Sequence, residues 1–269
     1  MLTYEIEVWR TTGPITMVGT EHPEPRNIRL FAYLFSLAQI LGLLVVILLT
    51  LWLGHYHGGF SWESTPQLEF NWHPVMMSLG MVLLYADSIL VYRLFRSERK
   101  CRIKLAHALL HSFVFIFTTV GLKAVFDSHN LHVDGDNKPA PIPNLYSLHS
   151  WIGLVSVLVF CYQFLSGLIT FLFPGIQHNL RARYLSIHTS IGVIGFVLAL
   201  TSALMGILEK ANWAVDGYVN LPPEGYLVNI TGLLLVLFGI IVVILVLNPE
   251  FKRQNLPEDE LLLADTLRE

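Results

Sequence analysis

Six apolar runs, each long enough to cross a lipid bilayer as a helix, constrain this chain more than any other feature. They cover roughly residues 30–54, 72–95, 105–126, 146–173, 184–208 and 226–247. A hydrocarbon core about 30 Å thick takes about 20 helical residues. Lipid offers no partner to an open backbone amide, so segments that satisfy their own hydrogen bonds are the expected form. The second run contains Asp87 and the third ends near Lys123, which makes these two less uniform than the rest. Short connections join the runs, and no Ser/Gly-rich linker separates a second domain. Composition agrees: 54% of the 269 residues are hydrophobic and 14% charged, against about 25% charged in a soluble domain. The expected fold is an all-α membrane protein, a six-transmembrane-helix bundle over residues 30–250. Residues 1–29 form an N-terminal extension and residues 251–269 a tail. The first is polar, with Glu5, Glu7, Glu21 and Glu24, and has no apolar stretch close to the start methionine. It does not read as a cleavable signal, and the first run is expected to serve as an uncleaved anchor. A net charge of -3 gives nucleic acid no footing.

The basic residues orient the bundle. An even number of spans puts both chain ends on one side, together with the loop near residue 100 and the loop near residue 180. All but three of the 17 Lys and Arg fall on that side; Lys123, Lys138 and Lys210 fall on the other. The positive-inside rule then places both termini in the cytosol. Two cysteines, Cys101 in a basic loop and Cys161 in an apolar run, have neither the spacing of a metal knuckle nor an expected disulfide. Gly192 and Gly195, and Ser202 with Gly206, sit at helix-packing spacing and read as points of close helix approach.

Four of the eleven histidines stand just inside the front edge of successive runs: His73 in NWHP, His107 in KLAH, His149 in SLHSW and His188 in LSIH. Successive antiparallel spans start on opposite faces. Topology therefore pairs His73 with His149 on the non-cytosolic side and His107 with His188 on the cytosolic side. Ionisable rings at membrane depth are functional candidates. Two facing imidazoles with no third ligand suit an iron macrocycle that needs two axial nitrogens, bis-histidine haem, better than zinc, which takes three or four protein ligands. His111, one turn beyond His107, satisfies the same spacing; His107 matches the depth of His188 more closely. With both axial positions filled, such irons carry electrons rather than bind reactants, and one near each face makes a path across the membrane.

FNWHPVMM, SILVYRLFR, KLAHALLH, AVFDSHN, NLYSLHSWIG, LRARYLSIH, PPEG and NPEFKR, in that order, resemble the cytochrome b561 family of ascorbate-dependent transmembrane oxidoreductases over about residues 38–254. The resemblance implies six helices, two haem b groups per chain and a homodimer. It also implies cytosolic ascorbate as donor, and monodehydroascorbate or ferric iron as non-cytosolic acceptor. It carries the haem ligands onto His73, His149, His107 and His188, and a cytosolic ascorbate site onto Lys100, Lys104 and Arg181, with Arg183 and Tyr184 nearby. Arg93 and Lys252 are candidates to pair with haem propionates. On the other side His129, Asn130, Tyr146, Trp151 and Glu224 match positions near the acceptor. His55 and His57, in GHYHGGF, read as interfacial.

Two rival classes share the apolar runs and the histidines: a haem-bearing anchor subunit linked to quinone, and a histidine-lined metal or proton transporter. The basic stripe at Lys100 and Lys104 fits a water-soluble anion better than a quinone. The tail segment Glu258-Asp-Glu-Leu-Leu-Leu263 fits an acidic dileucine sorting address, so a vesicle, endosomal/lysosomal or plasma membrane is the expected location.

Overall fold

A computed structural model describes residues 28–62, 65–173 and 176–253. The tail segment around Leu262 and Leu263 and most of the N-terminal extension lie outside the described residues. Six helices are long and apolar enough to cross a membrane: α1 (Ile28–Tyr56), α2 (Pro66–Leu94), α3 (Lys100–Asn130), α4 (Leu148–Leu172), α5 (Asn179–Ala214) and α6 (Pro223–Leu247). They run alternately up and down. The end of α2 meets the end of α6, where the Arg93 guanidinium donates to the carbonyls of Val246 and Asn248. The start of α2 meets the end of α3 through His73 and Gly121.

Three helix pairs dominate the packing: α4 with α5, α1 with α6, and α2 with α3. Their shared interior is aromatic and branched aliphatic, with Trp52, Tyr85, Phe160, Phe196 and Phe238 fully buried. Outward-facing leucines, isoleucines and phenylalanines remain exposed along the helices, Leu105, Leu158, Ile194 and Leu233 among them, as lipid-facing surfaces require. Within α2 the backbone widens into a π-helical stretch, Ser78–Leu84. Gly80 lies there against α3: an added Cβ would come within 3.0 Å of the Phe117 Cβ and 3.3 Å of the Val114 carbonyl. The wide turn therefore brings two backbones together. Such turns are frequent at functional sites, and Ser78, Met81 and Val82 of this one line a cavity.

Helix α5 extends further at both ends than its apolar run predicts. Arg181 and Arg183 interrupt the apolar pattern but not the helix. A charged residue at the membrane edge keeps its backbone hydrogen bonds while its side chain reaches water. Helix α4 starts at a capping box: the Ser147 hydroxyl accepts from the Ser150 amide at 3.3 Å, and the Ser150 hydroxyl faces the Ser147 amide at 3.2 Å. That cap fixes where His149 enters the bundle.

Candidate functional site

Two histidine pairs stand near opposite faces. The rings of His73 and His149 have centres 6.1 Å apart, and those of His107 and His188 6.2 Å apart. Two imidazole–metal bonds of about 2 Å each, plus the two ring half-widths, come to about 6 Å. Both pairs therefore leave room for one metal between the rings.

Three of the four rings are held by backbone carbonyls. His73 Nδ1 lies 3.0 Å from the Gly121 oxygen, His149 Nδ1 2.8 Å from the Ser202 oxygen, and His107 Nδ1 2.8 Å from the Ser88 oxygen. A carbonyl only accepts, so the Nδ1 of the neutral ring carries the proton and Nε2 keeps its lone pair. This is the usual way a protein prepares an imidazole for metal. His188 Nδ1 has no such partner among the described residues.

Two serines repeat one arrangement. The Ser88 hydroxyl lies 3.1 Å from His107 Nδ1 and donates to the His107 carbonyl at 3.1 Å. The Ser202 hydroxyl lies 3.2 Å from His149 Nδ1 and donates to the His149 carbonyl at 3.2 Å. Each serine thus grips both the ring and the main chain of a histidine on the neighbouring helix. Two glycines make the remaining space. A Cβ on Gly206 would sit 2.7 Å from His149 Cε1, and one on Gly167 would sit 2.8 Å from His188 Cε1. The sequence pattern reads Ser202 and Gly206 as points of close helix approach, and both do face α4: Ser202 bonds the His149 carbonyl and lies against Gly153, while Gly206 makes room for the His149 ring.

His73 and His149 line a cavity of about 670 Å³ that is mainly apolar and includes Gly206 and Ser78. An imidazole pair at metal-bridging spacing, cradled by a glycine and opening on an apolar cavity, fits a flat iron macrocycle. Among the described residues no group of three or more His, Cys, Asp or Glu comes together as a metal-ion site. Between the two pairs lies a buried layer in which His111, read from the sequence as lying within the bundle or between two haems, is joined by aromatic rings that the sequence did not single out. His111 stands 4.5 Å from His107 and 5.2 Å from Tyr85, and Tyr85 stands 5.7 Å from Phe160 and 5.8 Å from Phe196, ring centre to ring centre. The Tyr85 hydroxyl donates to the Gly192 carbonyl.

On the basic face the charges of Arg181, from α5, and Lys100 both act on Lys104. Tyr184 and Phe171 stand 5.9 and 5.4 Å from the His188 ring. Arg183 and Lys252 are exposed. Arg93 ties the end of α6.

The opposite face divides the five residues expected there. His129 and Tyr146 line the cavity. Asn130 is joined to His129 through Asn144, which spans Asn130 Oδ1 and His129 Nδ1 at 2.9 and 3.1 Å. Trp151 is 65% exposed and points away, its indole donating to the Leu145 carbonyl. Glu224 accepts from Trp52 Nε1 at 2.6 Å and lies 2.8 Å from His57 Nε2. His57, read from the sequence as interfacial, lines the cavity beside Glu224. Burial, then Lys210, holds its pKa below the ordinary imidazole range against the pull of Glu224. Burial, then the charge of Glu209, raises the Tyr146 pKa. Phe70 was missed as well: its ring stacks on His129 at 6.4 Å and lies 6.1 Å from His73. Only its place three residues before His73 in FNWHP could have signalled it.

Residues 72–214 match the model of the eukaryotic cytochrome b561 family. The chain is 42% identical over 243 residues to the putative transmembrane ascorbate-dependent reductase CYB561 homolog of Caenorhabditis elegans, covering 88% of this chain and 90% of that one. It is 42% identical over 234 residues to the transmembrane ascorbate-dependent reductase CYB561 of Mus musculus, covering 87% and 90%. It is 39% identical over 219 residues to the lysosomal membrane ascorbate-dependent ferrireductase CYB561A3 of Bos taurus, covering 79% of each chain. With two histidine pairs near opposite faces and similarity along most of its length, the chain belongs to the cytochrome b561 family.

Proposed function

We propose that this protein transfers electrons across a membrane, from cytosolic ascorbate to an acceptor on the other side, through two haem b groups held by His73 with His149 and by His107 with His188. The observation that carries this reading is the matched spacing of the two ring pairs, 6.1 and 6.2 Å. The relatives named ascorbate-dependent reductases support the donor. Bound between each pair, haem b supplies a one-electron iron couple. The chain's own residues do the rest. Carbonyls hold three Nδ1 protons and so aim Nε2 at the metal. Gly206 and Gly167 leave room for two of the rings.

Lys100, Lys104 and Arg181 draw the ascorbate monoanion to the basic face, where their charges favour the anion by Coulomb attraction. Loss of one electron and one proton turns it into monodehydroascorbate, which leaves. On the far side one electron reduces ferric iron to ferrous, or, with a proton, restores monodehydroascorbate to ascorbate. The ferrireductase relative supports the first of these. His129, Tyr146 and Glu224 stand where that acceptor would enter. The protein would act as a homodimer in a vesicle, lysosomal or plasma membrane, both termini cytosolic.

The test is an absorption spectrum of the purified protein. A reducible low-spin b-type spectrum that ascorbate alone develops is expected, with two haems per chain. His73→Ala and His149→Ala should each remove one haem, and His107→Ala and His188→Ala the other. Loss of the same haem in the His73 and His107 variants, with the other intact, would refute the pairing.

A further inference from the structure

The side of the bundle poor in basic residues carries only Lys123, Lys138 and Lys210. The first two are surface side chains beside carboxylates, Lys123 with Asp127 at 2.5 Å and Lys138 with Asp136 at 3.4 Å. Lys210 differs. It is 6% exposed and lines the cavity that holds His73 and His149. Its ammonium lies 4.4 Å from the centre of the Trp213 ring, 4.7 Å from that of Phe70 and 6.0 Å from that of Trp52. Among the described residues no carboxylate pairs with it and no oxygen accepts from it; Glu224 acts on it only through space, being bonded to Trp52 and set against His57. The neighbouring Glu209 also lines the cavity, and its charge acts on Tyr146.

Aromatic faces attract an ammonium by about 0.5–2 kcal/mol but do not satisfy its three N–H donors. Removing a charge from water costs several kcal/mol unless an opposite charge is close. Topology does not account for this lysine, since it lies on the face where basic residues are few. Lys210 lines the cavity. Phe70 ties the position to the site: the ring that Lys210 caps also stacks on His129 and lies beside His73.

We propose that Lys210 is an anion anchor, holding one anionic oxygen of a molecule seated in the non-cytosolic cavity. The proposal rests on the reading of that cavity as a haem site with an acceptor at its mouth. Two sources supply such an oxygen: a carboxylate on the edge of the macrocycle, or the acceptor itself as an organic anion or anionic ferric chelate. Both are recognised by one buried, desolvated ammonium whose direction is fixed by three rings.

The experiment uses purified full-length protein with Lys210→Met and Lys210→Gln as neutral variants and Lys210→Arg as the charged control. Two quantities are read: the midpoint potential of each haem by spectroelectrochemical titration, and the reoxidation kinetics of the reduced protein. Ferricyanide serves as the anionic oxidant and hexaammineruthenium(III) as the cationic one. If the anchor holds the macrocycle, both neutral variants lower the potential of the non-cytosolic haem alone, or lose that haem while the arginine variant keeps it. If it holds the acceptor, both potentials stay and half-saturating ferricyanide rises about tenfold or more, as expected for one charge-assisted hydrogen bond, with the cationic oxidant unaffected. Neutral variants that match wild type in both potentials and both oxidants overturn the proposal. So does equal haem loss in all three variants, which would make the position one of packing alone. A wild-type protein with no b-type spectrum would instead overturn the reading of the cavity, and this proposal with it.

Discussion

Ser88 and Ser202 hold His107 and His149 with the same three contacts, although they lie on different helices and at opposite ends of the bundle. Each serine carbonyl fixes the Nδ1 proton, and each hydroxyl ties the histidine's main chain. His73 has only a carbonyl partner and His188 Nδ1 none among the described residues, so each pair contains one clasped ring and one looser ring. Removing a hydroxyl while keeping the carbonyl should weaken the clasp by about 1 kcal/mol without abolishing ligation. Ser202→Ala should therefore keep both haems and change the midpoint potential and low-temperature electron paramagnetic resonance signal of the non-cytosolic haem only. Ser88→Ala should do the same for the cytosolic one. A change in the opposite haem, or in both, would show that the serines act through general packing. The four histidines were legible because each stands within about the first turn of an apolar run. Their serine partners were not, because Ser202 is 53 residues from His149 in sequence and nothing local marks a serine as facing a ring.

At the scale of the helix, the two small-residue gaps set where each ring sits. Alanine at Gly206 or Gly167 would place a methyl less than 3 Å from an imidazole carbon. Either the ring or the helix must then move, at a cost of about 1–3 kcal/mol. Gly206→Ala should lower the content of the non-cytosolic haem and Gly167→Ala that of the cytosolic one, read as haem per protein; full content in both would mean that the helices part easily. The first turns of α3 present a second testable feature. Lys100, Lys104 and His107 lie on one helical stripe, and the charge of Arg181 from α5 also acts on Lys104. Lys104→Ala should raise half-saturating ascorbate about ten- to a hundredfold, the loss of one charged hydrogen bond, while dithionite still reduces both haems. Stopped-flow reduction at varied ascorbate measures this; an unchanged curve would leave the lysine only a topological role. Arg93, near the end of α2, donates to the orphan carbonyls that end α6 and so ties these two helices together.

For the whole molecule, orientation follows from the count of basic residues on each side, and it is open to a direct check. Protease digestion of sealed vesicles should remove tags placed at either terminus from the cytosolic side and spare a tag inserted at Gly135, in the exposed loop between α3 and α4; the reverse pattern would invert the assignment of donor and acceptor faces. By itself the sequence determined the six spans, their alternation, the basic face and the pairing of the four histidines. These follow from two rules that act along the chain, the length of apolar runs and the side on which each run starts. The tertiary structure decided what surrounds the rings. Glu224 meets Trp52 across 172 residues, His57 joins them, and Phe70 links His73 to His129 and Lys210. In the bilayer any apolar side chain is acceptable on a helix surface, so the sequence pattern does not distinguish a lipid-facing position from a helix contact or a cavity wall. Only the rotation of each helix against its neighbours makes that choice, and packing between the helices fixes that rotation.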